Sequence, residues 1–185
     1  MTWKKNMKRP LIAGAICLSH GFLLAQDASS GDARPFSFLL GAGLTYGGET
    51  LATAVFTDGS TRTIKAGNLF VFKVGADWRI NPNVSLQGTL GLHIDTVTAE
   101  NGKMSFDRNF LEGLAFWNTT PGQRLGVGLR KTAGARLTSS GVASTVGNVE
   151  FTSSFGAVVE YEWLSRPDTR GFGITLRYVA EKYTP

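Results

Sequence analysis

Beyond residue 30 the chain alternates between apolar and polar positions with a period of two, the mark of β-strands with two unlike faces. The cleanest stretch is 84–95. Val84, Leu86, Leu90, Leu92 and Ile94 share one face with Gly88; Ser85, Gln87, Thr89, His93 and Asp95 lie opposite with Gly91. Residues 149–163 put Val149, Phe151, Phe155, Ala157, Val159, Tyr161 and Trp163 on one face with Ser153, against Glu150, Thr152, Ser154, Glu160 and Glu162. Residues 172–181 set Phe172, Ile174, Leu176, Tyr178 and Ala180 against Gly173, Thr175, Arg177, Val179 and Glu181. Segments 36–46, 69–79 and 124–130 carry the same alternation with more noise, the last setting Leu125, Val127 and Leu129 against Arg124 and Arg130. In 105–117 the pattern is ambiguous, because placing Glu112 on the polar side brings Leu114 and Phe116 with it. The expectation is seven strands and no long helix.

Alternation alone does not say which face is inside. A soluble antiparallel barrel buries the apolar face; a membrane barrel turns it to lipid and keeps polar groups inside. Three features favour the second. Trp78, Trp117 and Trp163 each close a strand just before a short turn (80–83, 118–123 and 165–170), as in an interfacial aromatic girdle. The opposite connections, 47–66, 99–104 and 132–147, read as mostly longer, and 51–65 reads as a hairpin around Asp58-Gly59. The polar face carries both signs: Lys73, Asp77, Arg79, Asp95, Glu112, Arg130, Glu150, Glu160, Glu162, Arg177 and Glu181. In a barrel of about eight strands the interior is filled by side chains, so opposed charges there are expected to pair as a structural plug.

The N-terminus has a different character. A basic stretch (1–9) precedes an apolar run (11–25), then the chain turns polar at Gln26. This is the layout of a secretory signal peptide ending at Ala25, followed by a short linker (26–35) and a barrel domain (36–185). Lys4, Lys5, Lys8 and Arg9 carry much of the net charge of +5; without them fifteen basic residues face fourteen acidic ones, which gives no electrostatic reason to expect nucleic acid. Charged residues make up only 18% of the chain, and the single cysteine, Cys17, falls in the apolar run, so a chain without that run has no thiol chemistry.

The FVFKVGADWRINPNVSLQGTLGLHID hairpin (70–95) and the GFGITLRYVAEKY strand (171–183) resemble the small outer-membrane β-barrel superfamily of OmpA-, OmpX- and OmpW-like proteins. The resemblance spans roughly 36–182. It implies an all-β, antiparallel up-and-down transmembrane β-barrel of the eight-strand type in the outer membrane of a Gram-negative cell. It also implies membrane lipids, lipopolysaccharide and the barrel-assembly machinery as partners. Such barrels end on an aromatic residue of a final strand, whereas this chain ends Lys182-Tyr183-Thr184-Pro185, which reads as the start of an extracellular loop. With seven strands, either the last strand is missing from this chain or the count is wrong.

Candidate chemistry is sparse. His93 is the only histidine after the N-terminal run; it reads as an interior histidine bonded to a neighbour rather than a base or a metal ligand. Lipid A deacylases of the resembling fold place a serine two residues after the histidine, where this chain has Asp95. Glu160 and Glu162 share a face but are expected to pair with arginine. The glycine-rich pieces at 41–48 and 126–130 neither open a helix nor lead to a Lys-Ser/Thr pair, so they are not phosphate loops. No catalytic, cofactor or metal site is expected. The expected role is structural, or one of surface interaction through the loops 47–66 and 132–147. The alternatives are a narrow channel for small or apolar solutes and, more remotely, a lipid-modifying enzyme or a soluble secreted barrel.

Overall fold

The computed structural model describes residues 2–5, 11–24, 35–48, 50–55, 61–65, 69–99, 102–141, 144, 147–153, 155–165 and 171–184. All its regular elements of any length are strands: β1 Thr2–Lys5, β2 Leu11–Leu24, β3 Phe36–Gly47, β4 Thr50–Val55, β5 Thr61–Lys65, β6 Leu69–Asn81, β7 Val84–Ala99, β8 Gly102–Thr120, β9 Gln123–Gly141, β10 Val149–Ser153, β11 Phe155–Leu164 and β12 Gly171–Thr184. No described helix is long and apolar enough to cross a membrane. The principal sheet runs β2-β3-β6-β7-β8-β9-β11-β12, eight antiparallel up-and-down strands, with β10 continuing the lane of β11 between β9 and β12. A separate sheet pairs β1, β4 and β5.

Six of the seven expected strands are present and longer than the pattern alone outlined; the seventh, 149–163, is divided into β10 and β11. β7 and β8 rise as one hairpin joined at 100–101, so 99–104 is not a long loop. β9 runs to Gly141, which makes 132–141 strand and shortens the expected loop 132–147 to its last few residues. The expected hairpin in 51–65 is present as β4 and β5, with the Asp58-Gly59 turn outside the described residues. Lys182, Tyr183 and Thr184 are the end of β12 rather than a loop, because the alternation continues through them: Glu181 and Tyr183 are buried and Lys182 is exposed.

The eighth lane is β2, the apolar run expected to leave with a leader. It pairs with β3 over 15–24 and with β12 over 11–23. A molecule that keeps this run has eight wall strands; one that loses it has seven.

Two irregularities change which residues face inward. On β9, Asp107 opposes Arg136 while Asn109 opposes Ala133, so Gly134 sits in a bulge, with φ of 62°. A left-handed residue of this kind suits glycine, which has no Cβ to clash. The neighbouring lane breaks between β10 and β11. The single strand expected over 149–163 is therefore two, and Phe151 is buried while Phe155 is 68% exposed, although both positions are odd.

The glycines of the wall make room for rings. A Cβ on Gly91 would lie 2.1 Å from the Phe110 ring, and one on Gly126 2.5 Å from that of Phe116. Each glycine is the direct cross-strand partner of its phenylalanine. Each ring lies against its glycine on the inner face, which resolves the ambiguity of 105–117: Phe110, Leu114 and Phe116 do share the buried side with Glu112. Gly128 is more tightly hemmed, since a Cβ there would meet the Gly113 carbonyl oxygen at 2.0 Å, whereas a Cβ on Gly113 meets nothing within 4 Å. Gly128→Ala is therefore expected to destabilise by about 1–3 kcal/mol, the usual cost of overpacking, and Gly113→Ala to be close to neutral. Urea titration of the refolded protein compares the two; equal midpoints would mean the wall is slack at Gly128.

Candidate functional site

The most elaborate arrangement of side chains is the buried polar face. Among the described residues it holds five buried basic side chains (Lys73, Arg108, Arg124, Arg130, Arg177) and six buried acidic ones (Asp77, Asp95, Glu112, Glu160, Glu162, Glu181). Long strands with period-two alternation bring these residues together from β6, β7, β8, β9, β11 and β12.

Nearest the short turns, Arg124 gathers its neighbours. Its Nη1 lies 2.5 Å from Asp77 Oδ2 and its Nε 2.6 Å from Glu162 Oε2. It also donates to Ser85 Oγ at 3.3 Å and to Gln87 Oε1 at 3.2 Å. The guanidinium carbon sits 4.1 Å from the centroid of the Phe116 ring, a cation–π distance. Below this tier a cavity of about 390 Å³ opens among the short turns, lined by Arg79, Ser85, Asn118, Gln123 and Arg124 among others. The turn at its edge needs Gly122, whose φ is 84°.

At mid-height Glu112 is the hub. Arg130 Nε donates to Glu112 Oε1 at 2.6 Å, Arg177 Nη2 to both carboxylate oxygens at 2.7 Å, and Thr89 Oγ1 at 3.1 Å. Glu160 ties Lys73 at 3.2 Å to Arg177 at 3.3 Å. Arg130 stacks 3.9 Å from the Phe110 centroid. Each charge thus meets an opposite one, as buried ions require.

Toward the long-strand end, His93 Nε2 lies 2.7 Å from Thr45 Oγ1, so this histidine is a buried side chain bonded to its neighbour. Arg108 Nη1 donates to Tyr183 Oη, which donates to Glu181 Oε2 at 2.7 Å. Above them Met104, Phe106, Ala135, Leu137 and Phe151 form an apolar cap, with Phe106 edge-on to Phe151 at 5.8 Å and to Tyr183 at 6.1 Å.

Of the eleven charges expected on the polar face, two fall elsewhere. Glu150 lies beyond the bulge level, where the parity has changed, and its exposed carboxylate pairs with exposed Arg136 at 2.5 Å. Arg79 is only half-buried, at the mouth of the cavity. Three buried participants are absent from that set of eleven: Arg124, although the alternation of 124–130 sets it opposite the apolar face, Arg108, in the ambiguous strand, and Tyr183, in the supposed loop. Among the described residues no group of three or more His, Cys, Asp or Glu side chains could hold a metal ion. The glycine-rich pieces 41–47 and 126–130 are strand, without a helix to follow. Comparison with known protein families gives no match, and comparison with curated proteins gives none either.

Proposed function

We propose that this chain forms a closed eight-stranded β-barrel in the outer membrane of a Gram-negative cell. In this reading the interior is a fixed electrostatic plug, and the protein acts as a structural element and surface-interaction platform. The observation that carries the reading is the inverted distribution of side chains. Paired charges are buried, while the opposite face exposes Phe38, Leu40, Leu44, Phe70, Phe72, Val74, Leu90, Leu92, Leu111, Leu125, Val127, Leu129 and Leu176. A soluble protein rarely exposes contiguous apolar surface on this scale.

The pairing register supports closure. Partners followed around the sheet from Leu24 run Phe38, Ala76, Gly88, Gly113, Leu129, Ala157, Ala180 and back to β2 at Gly14, ten residues from the start. Ten residues of stagger over eight strands, at about 3.3 Å rise and 4.8 Å spacing, correspond to a tilt of about 40°. Outward positions from Phe36 to Tyr46 then span about 25 Å along the membrane normal, the height of an apolar band. Trp78, Trp117 and Trp163, each about half exposed or more, line the rim at the short turns, where a girdle belongs. The resemblance to OmpA-, OmpX- and OmpW-like barrels agrees with this reading. The short turns then face the periplasm, the β4–β5 hairpin faces outward as the candidate partner surface, and assembly falls to the barrel-assembly machinery.

Fractionation followed by electrophoresis with and without boiling tests the barrel; a soluble periplasmic protein with no heat-dependent shift would overturn it. Planar-bilayer recording separates plug from channel. No steps above baseline are expected, because mid-height side chains are bound to one another across the interior; steady unitary conductance would favour the narrow-channel alternative.

A further inference from the structure

We propose that the outer face of β9, β11 and β12 is a docking site for a phosphate-bearing lipid, with exposed Lys131 and Lys182 flanking Phe155; this rests on the membrane-barrel reading above. Lys131 is the direct cross-strand partner of Phe155. Lys182 lies two residues beyond Ala180, the partner of Ala157, which puts it on the other side of Phe155. With one strand between them the two lysine backbones are about 10 Å apart, and their flexible stems let both ammonium groups reach one phosphate. Lys131 Nζ is held at the wall, donating to the Ser153 carbonyl oxygen and lying 5.4 Å from the Phe155 ring centroid.

The surroundings select for a lipid rather than a free ion. Directly toward the membrane centre the outward positions are Leu129, Ala157 and Ala180, followed by Val127, Val159 and Tyr178. Ala157 and Ala180, with Gly14 beyond them on β2, are smaller than Leu129 beside them and than Val127, Val159 and Tyr178 in the next row, which makes a shallow apolar trough next to the lysines, suited to an acyl chain. On the other side lie Asp107, Arg136 and Glu150, but Glu150 pairs with Arg136 at 2.5 Å and Asp107 accepts from Ser105 Oγ at 3.0 Å. Those carboxylates are engaged, and the row itself holds two cations and no acid. The row also sits where the outer face turns from apolar to charged, the height of lipid headgroups.

The test is native mass spectrometry of the full chain in detergent with diphosphorylated lipid A, its dephosphorylated form, and phosphatidylcholine. Retention of diphosphorylated lipid A by the wild type is expected to exceed that of the other two, and Lys131→Gln with Lys182→Gln to reduce it about tenfold. Lys103→Gln, an exposed lysine outside the row, is expected to change nothing, and Ala157→Phe, which fills the trough without touching charge, to lower retention. Unchanged retention in the double variant, equal retention of dephosphorylated lipid A, or displacement by millimolar inorganic phosphate would each overturn the site. The heat-shift gel is run on the same samples. A shifted double variant with full retention rejects the lysine site alone, whereas a wild type that never shifts rejects the barrel beneath it.

Discussion

Glu112→Gln is expected to lower the stability of the folded protein by about 3–5 kcal/mol, the cost of leaving buried charge without its counter-charge. Glu112 accepts from Arg130, Arg177 and Thr89 at once, and both arginines are buried. Without the carboxylate's charge, buried Arg130 loses its counter-charge and Arg177 keeps Glu160, at 3.3 Å. In urea this corresponds to a midpoint lowered by roughly 2 M, read as loss of the heat-shifted band on refolding into lipid. Glu150→Gln is the matched comparison. Its pair with Arg136 is exposed, so a change below about 1 kcal/mol is expected. Adding Arg130→Met to Glu112→Gln should recover part of the loss by removing the stranded charge. Equal effects at Glu112 and Glu150, or no recovery, would show that the interior is wet enough to screen its charges and is not a dry plug.

The second large effect concerns β2. A chain exported behind a foreign leader and beginning at Gln26 is expected to show no heat shift unless residues 11–24 are restored to it or another strand takes their place. β2 supplies the backbone partners of ten residues on β3 and thirteen on β12. Left open in lipid, each unpaired group costs several kcal/mol, more in total than a small domain's entire stability. Mass spectrometry of the inserted, heat-shifted protein reports whether residues 11–24 are still attached. A heat-shifted chain that begins at Gln26, with nothing else in that lane, would mean that β3 and β12 meet directly and that β2 is not part of the wall.

The wall strands were legible because their alternation is strict where both neighbours are regular. Val84–Ile94 and Phe172–Ala180 read correctly down to the side each residue faces. Legibility failed where a single extra residue changes the parity. Gly134 and the break before Phe155 each invert the pattern, and nothing in the composition around them announces it; Phe151 therefore looked like a partner of Phe155 and Glu150 like an interior charge. Phe110 and Phe116 were obscured for another reason. Their burial depends on the absence of a side chain on Gly91 and Gly126, which are distant in sequence and become neighbours only once the register is known. The charge pairs were foreseeable as a set but not as pairs, because which arginine meets which glutamate depends on the stagger between strands. The apolar run 11–24 carries the hydropathy of a leader, and its pairing with β3 and β12 has no counterpart in that signal.

In the membrane-barrel reading proposed above, the bulge at Gly134 and the break between β10 and β11 give the wall a waterline. On the short-turn side of them the chain follows the rule of a lipid solvent, with Leu125, Val127, Leu129 and Val159 outside and Arg124, Arg130 and Glu160 inside. On the other side it follows the rule of an aqueous one, with Phe151, Ala135 and Leu137 inside and Arg136 and Glu150 outside. The long strand ends are then a small water-soluble core built on the same hairpins as the membrane wall. On that reading a polar epitope grafted beyond the waterline is expected to meet the solvent those residues are already written for, and the same graft a few residues nearer the short turns to meet hydrocarbon.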